Sequence, residues 1–389
     1  MRVDANFYGT VPMPDAGNHG PKPTDRRYYN EDYIACYENL EHWARTMDRL
    51  GYDTMWLTEH HFQYEGYEVV PNLVMFGLHL VSLTERLRLG QMFNIVPQWH
   101  PLRLAEDYAM ADILSRGRMQ FGVGRGTVPR EAQSLGSTIA SGDNAMSAEA
   151  DQINREQFEE GMEIILRSWR NDRFSFKGKH FEFPPPGIPD RGSFVEDLTM
   201  IPKPISPIEV YQPVSSPKTM EYVPRQGFKG VFAGTNPKKL KTNWDRFAEL
   251  AAEAGYLWGP GEGRVLVMGC HVGRTREEAF TTGRNGHDEY CRFLAPYGRF
   301  GGYELPEGTN PLGFQPTMEM SVDQKIMAIG SVDDVVDTIG FWQELLDVKH
   351  LCCFFDFPGL TREQMDDQLA IFAEEVLPKL GVHLGQVLA

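Results

Sequence analysis

Short continuous apolar runs alternate along this chain with longer stretches in which apolar residues recur at the spacing of an amphipathic helix. That alternation marks strands and helices wound into a parallel sheet. Strands are expected over residues 3–8, 54–58, 87–96, 119–123, 208–212, 230–233, 264–272 and 349–355. Helices are expected over 31–50, 73–83, 102–114, 149–169, 217–226, 237–254, 332–346 and 362–380, with another starting at Arg276. Gly51 stops the first helix and Pro97 closes the third strand. Eight strand candidates with helices between them and no linker favour one unit, residues 1–389: an α/β TIM (β/α)8 barrel.

The regular beat breaks twice. From Gly126 to about Ile205 there is a polar stretch, one helix, and Phe174 to Phe183, where Gly178-Lys179 reads as a hairpin turn between alternating aromatics. A second irregular insertion runs from Pro296 to Pro316. Long loops in a compact domain are usually functional.

Composition narrows the class. With 389 residues, 41% of them apolar, the chain can bury a substantial core. A formal charge of -16 disfavours nucleic acid, whose binding rests on neutralising phosphates with Lys and Arg. The five scattered cysteines contain no CxxC pair and fit buried, reduced thiols. The start lacks a signal pattern, and no apolar run is long enough to cross a bilayer. A cytoplasmic protein without membrane contact is expected.

Candidate chemistry gathers where strands end, which in such a barrel is where reactions occur. The second strand runs through Trp56-Leu57-Thr58 into Glu59-His60-His61. Imidazole there suits proton transfer near neutral pH, although polar capping of the strand end would use the same residues. Neighbouring strand residues face opposite ways, so the two histidines do not reach one metal ion, and no HxH or HExxH pattern occurs. Metal ligands are expected to be absent.

Three other strand ends add polar groups. Phe121-Gly122-Val123-Gly124-Arg125-Gly126 pairs glycines, which permit close approach of a ligand, with a guanidinium suited to phosphate. It is not a dinucleotide-binding fingerprint, since Thr127 stands where the third glycine would be and no helix is evident there. Val214-Ser215-Ser216-Pro217-Lys218-Thr219 offers either an anion site at a helix start or ordinary N-capping. After the third strand, Asn94 could bind a ligand's amide edge, while Trp99 and His100 either wall a pocket or shape a tight turn.

These pieces together resemble the bacterial luciferase-like flavin monooxygenase family. The likeness runs from Asp53 to Phe62, through Leu89-Gly90 to His100-Pro101, and on to Arg103-Leu104-Ala105-Glu106-Asp107 and Ser115 to Gly126. It continues at Ser215-Ser216, at His271-Val272 before Arg276-Glu277-Glu278-Ala279, and at Gly330 to Val335, being closest from Gly51 to Gly136. The resemblance implies FMN at the C-terminal mouth of the barrel, reduced by a separate flavin reductase and reacting with O2. A C4a-(hydro)peroxyflavin would then oxygenate a small apolar or carbonyl-bearing substrate.

By the same resemblance His60 is the catalytic histidine, and Arg125, Ser215, Ser216 and Thr219 grip the flavin phosphate. Met92 and Phe93 fall where the family often has a non-proline cis peptide beside the flavin ring, and Glu131 matches an acidic residue near it. Tyr8, Phe93, Trp99 and His100 are the expected substrate wall. Family barrels commonly form dimers. Gly124 replaces any thiol before Arg125, and 137–146 and 300–316 depart from the luciferases, so bioluminescence is not implied. Two alternatives stay open: a deazaflavin F420-dependent oxidoreductase of the same superfamily, and a non-catalytic flavin-binding or assembly-partner barrel.

Overall fold

A computed structural model describes residues 1–137 and 148–385. Nine parallel strands carry the fold: β1 (Arg2–Phe7), β2 (Thr54–Leu57), β3 (Arg88–Gln91), β4 (Met119–Gly124), β5 (Val210–Pro213), β6 (Lys229–Ala233), β7 (Arg264–Gly273), β8 (Met327–Ser331) and β9 (His350–Phe354). Eight of them close a ring in the order β1-β2-β3-β4-β5-β6-β7-β9 and back to β1. This is the TIM barrel the alternating pattern calls for.

Two strand details differ from the sequence reading. β8 was not anticipated; it pairs with the upper half of β7, from Gly269↔Met327 to Gly273↔Ser331. The run expected over 87–96 is two pieces, because the chain breaks step after Gln91 and resumes as Asn94–Ile95, paired with Val123 and Gly124. The Met92–Phe93 peptide between them is cis.

The barrel interior is filled by side chains from many strands, with Trp56, Met92, Tyr211, Val231, Val265 and Cys352 in one buried cluster. Gly90 is what admits Trp56, since a Cβ there would lie 2.3 Å from the indole. Outside, α1 (Asn30–Leu50), α2 (Leu73–Ser82) and α3 (Pro101–Ser115) cover the first strands. α1 ends as the sequence indicates: Gly51 adopts φ 90° and its N–H bonds Met47 O.

The first insertion holds a short helix, α4 (Pro129–Ser134), and the long α5 (Ala148–Arg170). The expected hairpin follows, pairing Phe176–Lys177 with Glu182–Phe183. Glu160 on α5 seats its turn by accepting the N–H groups of Lys179, His180 and Phe181 at 2.7, 2.9 and 3.1 Å. Of the segment 137–146, only Ser137 lies within the described residues.

The chain then continues through α6 (Pro217–Arg225), α7 (Pro237–Glu253), α8 (Arg276–Leu294), α9 (Met318–Asp323), α10 (Val332–Leu346) and α11 (Arg362–Ile371). The last helix passes through a π turn at Phe372–Val376, which no sequence pattern announces. All five cysteines are buried and unbridged. Among the described residues no helix is long and apolar enough to cross a membrane.

Candidate active site

β2 ends at Leu57, and the next residues diverge as alternation requires. Glu59 is buried and acts as an anchor. One of its oxygens accepts from Asn94 Nδ2 and, at 3.1 Å, from the Ile95 amide. The other accepts from Trp99 Nε1 at 2.9 Å and meets His61 Nε2 at 3.1 Å. Asn94 is thus committed to Glu59 and Tyr108. Trp99 packs beside the same carboxylate, and His100 lies against Phe183 of the hairpin at 5.3 Å between ring centroids. These three residues fix the turn after β3.

His60 points elsewhere. Its Nδ1 lies 2.9 Å from Glu131 Oε1 and its Nε2 lies 3.2 Å from Glu68 Oε2. Burial works against a charged ring, but the carboxylates of Glu68 and Glu131 outweigh it and push the pKa up to about 9. Burial also raises Glu131, yet His60, the His61 amide and Gln63 hold that carboxyl below its ordinary range. Burial dominates at Glu68, raising it against the pull of His60 and Arg299. Among the described residues no group of three or more His, Cys, Asp or Glu is arranged to hold a metal ion.

Gly122 and Gly124, both within β4, have a packing role. A Cβ on Gly122 would lie 1.7 Å from Gln91 O, and one on Gly124 would lie 3.2 Å from Phe93 Cβ. They make room for the chain as it leaves β3 around the cis peptide. A helix also opens three residues after Gly126, at Pro129, and it is α4 that carries Glu131 to His60.

At the next strand ends, cations gather around the start of α6. Ser216 caps α6 by accepting the Thr219 amide at 3.2 Å, and the amides of Ser215 and Ser216 both donate to Thr219 Oγ1, at 3.2 and 3.0 Å. Val214 precedes them, its amide held by Val231 O at 3.0 Å. Arg125 bonds Asp151 Oδ1 at 3.1 Å and Asn154 Oδ1 at 3.2 Å, and Lys218 lies 3.7 Å from the other Asp151 oxygen. Arg155 completes the group: it is buried, its Nε has no hydrogen-bond partner, and burial and then Arg125 hold its pKa down. The capping reading of 214–219 is realised at Ser216, with Arg125, Arg155 and Lys218 gathered beside it.

Tyr8 joins a separate aromatic wall. Its hydroxyl lies 3.2 Å from that of Tyr290, and its ring packs edge-on to Phe354. With Thr10, Tyr67, Glu68, Phe293, Leu294 and Pro358, Tyr8 and Tyr290 line a small cavity of about 10 Å³. The second insertion closes over this side through Phe300 and Tyr303, while Arg299 reaches Thr127 Oγ1 at 2.5 Å. Tyr8, His60, Glu68 and Glu131 thus stand together, whereas Trp99 and His100 belong to the outer turn.

Several residues escaped the sequence reading. Glu68 and Gln63 sit in an aromatic loop with no recognisable motif. Arg155 did carry a signal, because it falls on the apolar stripe that continues through Phe158, Met162 and Ile165. Asn6 and Gln120 lie on one register line with Trp56 and Gly90, so their side chains share the barrel interior. Each is buried with an amide oxygen that lacks a partner.

A flavin mononucleotide matches these features. The orphan amide oxygens accept N–H groups such as an imide supplies, Met92, Phe93 and Tyr8 offer apolar walls, and Arg125, Arg155 and Lys218 at a helix start suit a phosphate. A closed (β/α)8 barrel with ionisable and cationic groups gathered at its strand C-termini has the form of a barrel enzyme. The luciferase-like monooxygenase profile matches residues 18–346, and the chain belongs to that family. It is 25% identical over 362 residues to the 4-hydroxyprotoasukamycin monooxygenase of Streptomyces nodosus subsp. asukaensis, covering 92% of this chain and 90% of that one.

Solved structures share the fold. The oxygenating constituent of 3,6-diketocamphane monooxygenase from Pseudomonas putida, in complex with FMN, superposes with a TM-score of 0.75 at 20% identity over 97% of this chain and 99% of that one. An F420-dependent secondary alcohol dehydrogenase does so with a TM-score of 0.63 at 16% identity over 97% and 98%.

Proposed function

We propose that this chain is the oxygenase of a two-component flavin-dependent monooxygenase, using reduced FMN from a separate flavin reductase and O2 on a small apolar or carbonyl-bearing substrate. The observation that carries the reading is a proton-holding histidine, His60, in the same barrel mouth as a cation-lined helix start. The bound flavin would supply the electrons that activate O2. The protein's own tasks are then clear from its residues. Arg125, Arg155, Lys218 and the capped turn Ser215-Ser216 to Thr219 hold the phosphate; Asn6 and Gln120 accept from the ring; Met92 and Phe93 bound it.

His60 keeps a proton at the mouth, and the wall of Tyr8, Tyr290, Phe354 and Phe300 excludes water, which a reactive oxygen species demands. The likeness to an FMN-bound oxygenating constituent supports both the cofactor and the reductase partner. A homodimer in the cytoplasm is part of the same proposal. The F420 reading draws on the dehydrogenase of the same fold, and a phosphate-binding helix start would serve that cofactor too. A barrel without turnover has no use for the His60 arrangement.

The test is oxygen uptake with a flavin reductase, NADH and FMN across a panel of small ketones, aldehydes, terpenes and phenols. Product formation that His60→Ala suppresses while flavin binding persists supports the reading. Tight F420 binding with no response to reduced FMN replaces it with the hydride-transfer alternative.

A further inference from the structure

We infer that Glu68 is a positioning residue that completes a carboxylate clamp on His60, fixing the ring as a proton donor that cannot serve as a base at neutral pH. This rests on the reading of the mouth as the reaction site. Nδ1 hydrogen-bonds Glu131 Oε1 at 2.9 Å, and on the other side Glu68 Oε2 lies 3.2 Å from Nε2 as an ion-pair partner. Two carboxylates this close to one buried ring favour its charged form.

The Nδ1 axis is settled by its surroundings. Glu131 Oε1 also accepts Gln63 Nε2 at 2.8 Å, as an ionised carboxylate does. On the other side of the ring the Glu68 carboxylate acts as a nearby charge, 3.2 Å from Nε2. That carboxylate is brought there at a cost to the backbone, since Glu68 adopts φ 52°, a conformation L-residues rarely take. The loop 59–70 returns on itself, with the His60 amide reaching Val70 O and the Val69 amide reaching Gly9 O at 2.9 Å. Glu68 is thereby placed between His60 and the cavity under Tyr8 and Tyr290.

The other ionisable groups around the pair do not replace it. Arg299 on the second insertion opposes the charge on His60. Asp356 on the far side holds its proton at neutral pH because burial raises it to about 8. The phenols of Tyr8, Tyr67, Tyr290 and Tyr297 are all pushed up by burial and stay neutral. Glu68 and Glu131 are the two carboxylates that hold the ring.

The proposal is tested by titrating His60 in the full-length protein, labelled with nitrogen-15 histidine and assigned by the signal lost in His60→Gln. In the wild type both nitrogens should stay protonated well above pH 7, and Glu68→Gln should lower the midpoint by at least one pH unit, a tenfold change in the protonation constant. With reductase and reduced FMN, the alkaline limb of the oxygen-uptake profile should move to lower pH by the same amount. A wild-type midpoint at or below the ordinary histidine value overturns the clamp even if the variant does not fold. An unmoved midpoint or an unmoved alkaline limb in a folded Glu68→Gln protein also overturns it. Wild-type protein that consumes no O2 with reduced FMN would sink the oxygenase reading separately, and the titration would still decide the clamp.

Discussion

Replacing Glu59 by Gln isolates the residue that fixes the turn after β3. Glu59 is a fully buried acceptor for Asn94 Nδ2, the Ile95 amide, Trp99 Nε1 and His61 Nε2. A carboxamide has one oxygen. Placed toward Asn94 and Ile95, it keeps two bonds as neutral ones, a loss of about 1 kcal/mol in all. Its NH2 then faces the other two partners. His61 can shift its proton to Nδ1 and accept, but the indole N–H of Trp99 has no such option. A buried donor left unpaired costs about 1–3 kcal/mol.

The sum predicts that Glu59→Gln destabilises the barrel by about 2–4 kcal/mol. The assay is urea unfolding followed by both tryptophan fluorescence and far-ultraviolet circular dichroism, so that coincident transitions license a free energy. Trp99→Phe removes the stranded donor. Glu59→Gln should therefore cost about 1–3 kcal/mol less in the Trp99→Phe background than in the wild type. A loss below about 0.5 kcal/mol, or equal losses in both backgrounds, would refute the anchoring role.

Arg125→Ala should weaken FMN by roughly 10- to 150-fold, the equivalent of about 1.5–3 kcal/mol, and leave riboflavin nearly unchanged; equal losses by isothermal titration would remove it from the phosphate site. Gly122→Ala should destabilise by about 3 kcal/mol or prevent folding, since the added Cβ meets Gln91 O at 1.7 Å, whereas Gly301→Ala, with nothing within 4 Å, should be near neutral in the same urea assay. Asp356 holds its proton to about 8 in the fold but releases it near 3.8 when unfolded. The folded state therefore binds more protons between those values, and stability should fall as pH rises through them, by up to about 1.4 kcal/mol per unit. Asp356→Asn should flatten that slope, and an unchanged slope would show that Asp356 is ionised in the fold.

Much of this architecture was legible in the chain because the barrel imposes a local pattern. All eight ring strands were marked by apolar runs between helical stretches, and caps such as Gly51 and Ser216 sit where the spacing puts them. β8 leaves little trace because Met327-Ala328-Ile329 is a short apolar run directly ahead of α10. The run from 87 to 96 looked continuous because cis geometry at Met92–Phe93 leaves no trace in hydrophobicity.

The candidate site divides along the same line. His60, Arg125 and Ser215-Ser216 occupy strand ends, which period and motif locate. Glu68 and Gln63 meet His60 and Glu131 only when the loop 59–70 folds back, and Asn6 joins Trp56 only across the sheet. Gly122 and Gly124 also carry a packing role that spacing does not announce, because Gln91 and Phe93 crowd against them.

The central claim is that this barrel binds reduced FMN and governs its reaction with O2. The direct measurement is anaerobic titration of the protein with reduced FMN, followed by rapid mixing with oxygenated buffer while flavin absorbance is recorded. Saturable binding, with reoxidation that follows a different course from free reduced FMN and changes in His60→Ala, is the predicted result. Reoxidation indistinguishable from that of free flavin at every protein concentration would contradict it.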